Sequence, residues 1–367
     1  MIRTTIPQFL SRFEKPNTKT GYTVSLNQFF DGFAKMTPEA YFSDGRNSEQ
    51  DLHEFKAHLK ARGLAPKSVE SKIGAVFSYF LANRVITREL WKELNLQNQS
   101  KVQDRVPSAK ELKQIIMQTD IRGKALFLTL ASSGMRLGDA LSIQMDDRFF
   151  VNLRKNPPRI WLHCEKVNTD YYAFITDETR DAIQGWLKYR NQWIKTAVRN
   201  SNGYKTENGQ DYRLFPFSGF SANRLWNLAL QKAGLTVIDK STQQERRTLH
   251  LHTLRKFNRT VTGQTLSHDI SEALLCHLTG LTKTYFRPDG DQVLAKEYAR
   301  VHDKLRILTT AVPDCDTTST IDQQNDKIAS LERMVQNILR QVQHDRETSE
   351  LQAQDHELNE KYARREL

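Results

Sequence analysis

Three short segments carry side chains suited to chemistry at a phosphodiester. In SSGMRLGDAL (132–141) a helix ends at Ser132-Ser133-Gly134, the chain turns, and Arg136 opens the next helix, with Asp139 three residues on. An arginine placed there can present its planar fork to a phosphate, helped by the helix N-terminus. Asp139 could either buttress that guanidinium or cap the helix. In LHLHTLRKFNRT (249–260), His252 and Arg255 are spaced i, i+3, share one helix face and could reach the same anion. His250 falls on a different face and is the poorer candidate. No second His or Cys pair shows ligand spacing, so a metal site is not expected. In LLCHLTGLTKTYFRPDG (274–290), His277 precedes a polar, glycine-containing turn and Tyr285 follows eight residues later. Taken singly, each segment is ordinary: an arginine at a helix corner, a chance His-x-x-Arg pair, one half-buried core tyrosine among 11.

The elements that must position these residues are mostly helices. Phe9–Phe13, Leu26–Phe33, Asp51–Ala61 and Ser68–Ala82 carry apolar residues at helical spacing, divided by turn signals at Lys15-Pro16-Asn17, Ser43-Asp44-Gly45 and Gly63 before Pro66. Basic residues recur where these helices meet. The polar stretch Asn95–Arg105 has only Leu96 and Val102 as aliphatic content and reads as a linker. Ser108, with Glu111 three residues on, is a capping box that opens a helix over Ala109–Gln118. Beyond it the pattern predicts helices at Gly123–Ala131, Leu137–Met145, Thr179–Val198 and Ser221–Ala233. Ile160–His163 and Tyr171–Ile175 read as a β-hairpin about the turn Glu165–Asp170. The expected class is mainly α with one small hairpin (α+β), divided into residues 1–94, a linker 95–106, a second domain 107–312 and a tail 313–367.

Charge divides along the same lines. The 367 residues carry a formal +11, yet residues 320–367, with seven basic and ten acidic side chains, stand at −3. Residues 1–319 therefore hold +14, a balance that favours a polyanionic partner through counterion release. In the tail, Ile321, Ile328, Leu331, Val335, Ile338 and Val342 step by sevens, threes and fours. That heptad seam is interrupted at Gln324 and fails at Asp345, and it favours a coiled coil over a helix packed on its own protomer. The longest apolar run, Ala125–Ala131, is far short of a membrane span, and the first residues lack the sustained apolar segment of a secretory signal. Three widely spaced cysteines, Cys164, Cys276 and Cys315, exclude a disulfide scaffold and predict reduced thiols.

The order of the three segments resembles the tyrosine recombinase (phage integrase) family. Its signature runs Arg, Lys in a β-hairpin, His-x-x-Arg, His or Trp, and a Tyr nucleophile. SSGMRLGDAL is similar to the family's first box and gives Arg136 with Asp139; HTLR gives His252 and Arg255; LLCH gives His277, with Cys276 where the family usually has glycine. TYFRP resembles the ending of archaeal-type integrases and gives Tyr285 as nucleophile, Tyr298 being an outside candidate. The turn EKVNTD gives Lys166 as the mobile lysine, although Lys155 also precedes the hairpin. The resemblance runs from near the start to about residue 310. It implies a helical core-binding domain, a catalytic domain, and site-specific recombination through a 3′-phosphotyrosyl link without metal, ATP or cofactor. It further implies double-stranded DNA as partner, a homo-oligomer, tetrameric on two sites, and a DNA-associated location in cytoplasm or nucleoid (nuclear in a eukaryotic host). Two rival expectations are a type IB topoisomerase-like relaxing enzyme and a non-catalytic oligomeric DNA-binding protein on the same fold.

Overall fold

Proline and polar caps start the first helices. Thr5 and Gln8 form a reciprocal capping box on α1 (Ile6–Leu10). Pro16, Pro38 and Pro66 occupy the first turns of α2 (Pro16–Asn27), α3 (Pro38–Ser43) and α5 (Pro66–Asn83), where a missing N–H costs nothing. Asn47 accepts the Glu49 and Gln50 N–H groups at the head of α4 (Ser48–Ala61). The computed structural model describes residues 3–96, 104–164, 169–200, 211–239, 246–277 and 290–309. The linker's middle, Lys166, Tyr285 and the heptad tail lie outside the described residues.

Two hydrophobic clusters fill separate stretches of chain. The first is aromatic. α2 continues into a π-helical segment, Gln28–Ala34, in which the adjacent Phe29 and Phe30 are both buried. They meet Tyr41, Phe55, Tyr79 and Phe80 mostly edge to face, with Tyr41 stacked on Phe80 at 5.4 Å. Short α6 (Leu90–Glu93) closes this cluster with Leu90.

The second cluster is built around α8 (Ile121–Ser133). Asp120 caps it by accepting the Gly123 N–H at 2.9 Å, and every residue from Ala125 to Ser133 is buried. A helix apolar on all sides must be wrapped, and α7 (Ala109–Met117), α11 (Asp177–Arg199), α12 (Gly219–Lys232) and α13 (His252–Gly263) wrap it. The capping box expected at Ser108 and Glu111 is present, with Ser108 N–H donating to Glu111 at 2.9 Å. The hairpin pairs β1 (Arg159–Cys164) with β2 (Thr169–Phe174) in antiparallel register, Leu162 opposite Tyr171 and Cys164 opposite Thr169. Alternation places Ile160, Leu162 and Cys164 on its buried face.

One expected helix is shorter than its pattern. α9 (Leu137–Leu141) stops where the chain leaves to pair with residues 212–214: Met145 N–H reaches Tyr212 O at 2.9 Å, and Leu214 N–H reaches Ile143 O at 2.8 Å. Apolar spacing alone does not separate the last helical turn from such a strand-like pairing. Other elements are too short to show a period in the sequence: α10 (Asp147–Leu153), the two-residue strands β3 (Ile238–Asp239) and β4 (Arg246–Arg247), and α14 (His268–Leu274). The last helix among the described residues, α15 (Gly290–Ala299), precedes a 3-10 turn at Asp303–Leu305.

Candidate active site

The end of α8 is where the candidate residues meet. Gly134 ends the helix at φ 65°, and a Cβ there would come within 2.4 Å of Leu275 and 2.7 Å of Asn258. Only glycine suits both that backbone and that space. Asn258 on α13 donates its amide to Ala131 O (3.1 Å) and Ser132 O (2.8 Å), and Tyr298 on α15 donates its hydroxyl to Ser132 O (3.0 Å). The terminal carbonyls of α8 are thus satisfied by side chains from two other helices.

This tight corner delivers Arg136 at the head of α9. Its Nη1 donates to Cys164 Sγ at 3.3 Å and lies 3.7 Å from Asp139 Oδ2. From the opposite side Arg255, 8% exposed, donates Nη1 to Gly134 O at 2.8 Å and Nη2 to Leu275 O at 3.0 Å. Arg255 therefore pins the turn before Arg136 to the turn before His277. Burial first, then the like charge of Arg136, pushes its pKa down from the usual arginine value. Burial also pushes the Asp139 carboxyl up, against the pull of Arg136 and Arg255.

The two histidines enter differently. His252 is the first residue of α13, where burial and then Arg255 push its pKa below the usual histidine value and favour the neutral ring. His277 follows Cys276, which takes a left-handed φ of 50°, a position that favours glycine. The His277 side chain is 53% exposed, and its Nδ1 lies 2.6 Å from Glu272 Oε2, while Arg259 Nε donates to Glu272 Oε1 at 2.6 Å. Burial opposes ionisation of Glu272, but Arg259 and His277 hold its carboxyl below the usual range.

Arg136, Asp139 and Arg255 are thus brought together, with His252 within electrostatic reach of Arg255 and His277 two residues beyond a carbonyl that Arg255 holds. Lys166 and Tyr285 belong to segments outside the described residues. Lys155 is exposed at the end of α10. Tyr298 is fully buried, and burial holds its hydroxyl well above the usual tyrosine range. Among the described residues, no group of three His, Cys, Asp or Glu side chains is disposed to hold a metal, and no helix is long and apolar enough to cross a membrane.

Several neighbours were not anticipated. The Cys276 thiol is pushed up to about 12, chiefly by burial and then by the neighbouring Cys164. Tyr171, on the hairpin, has a buried hydroxyl with no hydrogen-bond partner among the described residues; it feels the charges of Asp139 and Arg255. The hairpin register carried the signal for both, since its buried face must present Cys164 and Tyr171 toward α8 and α9. His250 also departs from expectation. It precedes the first turn of α13, so the helical wheel does not govern it, and its ring lies parallel to that of His252 with centroids 6.3 Å apart.

Solved structures of similar fold are tyrosine recombinases. A lambda integrase(75–356) dimer bound to a COC′ core site is similar at a TM-score of 0.53 and 14% identity, over 77% of this chain and 95% of that one. A lambda integrase tetramer bound to a Holliday junction gives 0.52 and 15%, over 77% and 75%. XerH site-specific recombinase in a pre-cleavage complex with its difH substrate gives 0.50 and 16%, over 81% and 82%. No protein-family model and no curated protein matches the sequence. At such identities the likeness is one of fold: the chain has the tyrosine recombinase fold, mainly helical with a small antiparallel hairpin.

Proposed function

We propose that this protein is a site-specific DNA recombinase that cleaves and rejoins strands through a 3′-phosphotyrosyl intermediate. The observation that carries the reading is Arg255, a buried cation joined to both the Gly134 turn and the Leu275 turn. It ties two other segments, each far away in sequence and suited to a phosphate, to its own helix.

In the proposed reaction, Tyr285 Oη attacks the scissile phosphorus in line. The Oη–P bond forms, the P–O5′ bond breaks, and the phenolic proton passes to His252, whose depressed pKa keeps a ring nitrogen free to accept it. Lys166 protonates the departing 5′-oxygen. Arg136 and Arg255 neutralise the charge that builds on the non-bridging oxygens, and His277 adds a hydrogen bond while Glu272 fixes its ring. Asp139 steadies Arg136. Losing one donor of this kind costs roughly 3–4 kcal/mol of transition-state stabilisation, or two to three decades in rate. Rejoining is the same step reversed with a new 5′-hydroxyl, so the phosphotyrosyl link conserves the energy of the broken bond. The partner is double-stranded DNA, and the heptad tail joins protomers into a homo-oligomer, a tetramer when two DNA sites are engaged.

A nicked suicide substrate tests this reading, because loss of a short 5′-hydroxyl fragment prevents religation. The full-length protein is expected to form a covalent adduct that resists denaturant and disappears in Tyr285→Phe. An adduct that persists in the variant would move the nucleophile elsewhere, and none from the native protein on any DNA would sink the proposal.

A further inference from the structure

Asp104 stands where the linker enters the second hydrophobic cluster, 152 residues before Lys256 in the chain. The next residue, Arg105, donates its N–H to Thr248 O at 3.3 Å, strapping the entering chain beside the segment that leads into α13. The Asp104 carboxylate then spans the head of that helix. Oδ2 accepts Lys256 Nζ at 2.6 Å, and Oδ1 lies 3.2 Å from His250 Nε2. His250 is itself tied to the first turn, its carbonyl accepting both the N–H (2.8 Å) and the hydroxyl (2.6 Å) of Thr253. The His250 and His252 ring planes are within 3° of parallel. One carboxylate therefore grips the start of α13 from both sides, one arm beside Arg255 and the other two residues before His252.

The core does not require this grip. Asp104, His250 and Lys256 are all partly exposed, and an exposed ion pair alone adds little stability. What the contacts do fix is direction, since a ring held at Nε2 by a carboxylate has its plane and tautomer set.

We propose that Asp104 is a positioning residue for His252, acting through His250 and Lys256, so that the entering linker sets where the His252 imidazole stands beside Arg255. The proposal rests on the reading of His252 as part of the phosphate site, although its geometry does not depend on the reaction. The charged and titratable groups acting on His252 come from three places. Arg255 and Lys256 on α13, and His250 in the preceding turn, disfavour its charged form, as burial does; Asp104, from the linker, favours it.

These opposed influences make a test that a merely structural role would not satisfy. In the full-length protein with isotope-labelled histidines, His252 is assigned by loss of its signal in His252→Gln and then titrated by NMR. Asp104→Asn is expected to move the His252 midpoint down, His250→Gln to move it up, and Asp104→Glu to return it toward the native value. An unmoved midpoint in Asp104→Asn, or a shift of both variants in the same direction, would overturn the proposal. On the nicked substrate, Asp104→Asn is expected to slow adduct formation by roughly one to two decades at unchanged DNA affinity, within the loss that a misplaced catalytic group can bring. Should the native protein form no adduct, the recombinase reading fails while the titration still decides the role of Asp104.

Discussion

Asp139 is held between two opposed forces, burial raising its carboxyl pKa and the Arg136 guanidinium at 3.7 Å lowering it, and burial prevails. The sign of its contribution follows. A carboxyl whose folded pKa exceeds its unfolded value lends stability below the unfolded pKa and loses it as pH rises through the folded one. Asp139→Asn is therefore expected to gain melting temperature over the native protein on going from pH 4 to pH 7, as calorimetry at both values would read. A gain that shrinks instead would mean that the ion pair with Arg136 outweighs desolvation. Tyr171 poses the same question without charge. Its buried hydroxyl lacks a hydrogen-bond partner among the described residues, and such an orphan costs about 1–3 kcal/mol. Tyr171→Phe removes the oxygen and little else, so thermal unfolding should show a more stable protein. A less stable one would reveal a partner for that hydroxyl.

At the level of elements, the α8 corner is the joint on which the candidate site turns. Gly134→Ala forces a Cβ against Leu275 and Asn258 and onto a left-handed backbone. Backbone strain of roughly 1–2 kcal/mol and overpacking of roughly 1–3 kcal/mol together predict a loss of about 2–5 kcal/mol in denaturant unfolding. Because Gly134 O also accepts Arg255, the same variant should lose the proposed cleavage even where it remains folded. This corner was legible in the sequence: a glycine after a long apolar helix, then Arg136, is a local pattern. So was the Ser108–Glu111 box, whose partners are three residues apart. The hairpin was legible by alternation, although the roles of Cys164 and Tyr171 on its inner face require knowing what the hairpin packs against. Contacts between distant residues left no trace. The Asp104–Lys256 pair is one, and Glu178 is another, a buried carboxylate of α11 that accepts the main-chain N–H groups of Ile307, Leu308 and Thr309. Nothing in the local spacing around either residue announces a partner more than a hundred positions away.

For the whole molecule the decisive quantity is where the charge sits. Residues 1–319 hold +14, and the tail from 320 holds −3, so the attraction for a polyanion belongs to the body of the chain. Part of it lies at the turn between α4 and α5, where Lys60, Arg62 and Lys67 are exposed. Each cation seated at a phosphate frees about one condensed counterion, so the logarithm of affinity should fall linearly with the logarithm of salt concentration. If the protein neutralises about six phosphates, its affinity for duplex DNA drops roughly a thousandfold between 50 and 200 mM salt. Fluorescence anisotropy with a labelled duplex, read at four or more salt concentrations, gives the slope directly. Lys60→Gln and Arg62→Gln should each reduce its magnitude by about one if those residues sit on phosphates, and should weaken binding to unrelated sequences equally. A flat dependence would remove the polyanion as partner. A steep slope left unchanged by both variants would keep the DNA and move its contacts to another face of the body.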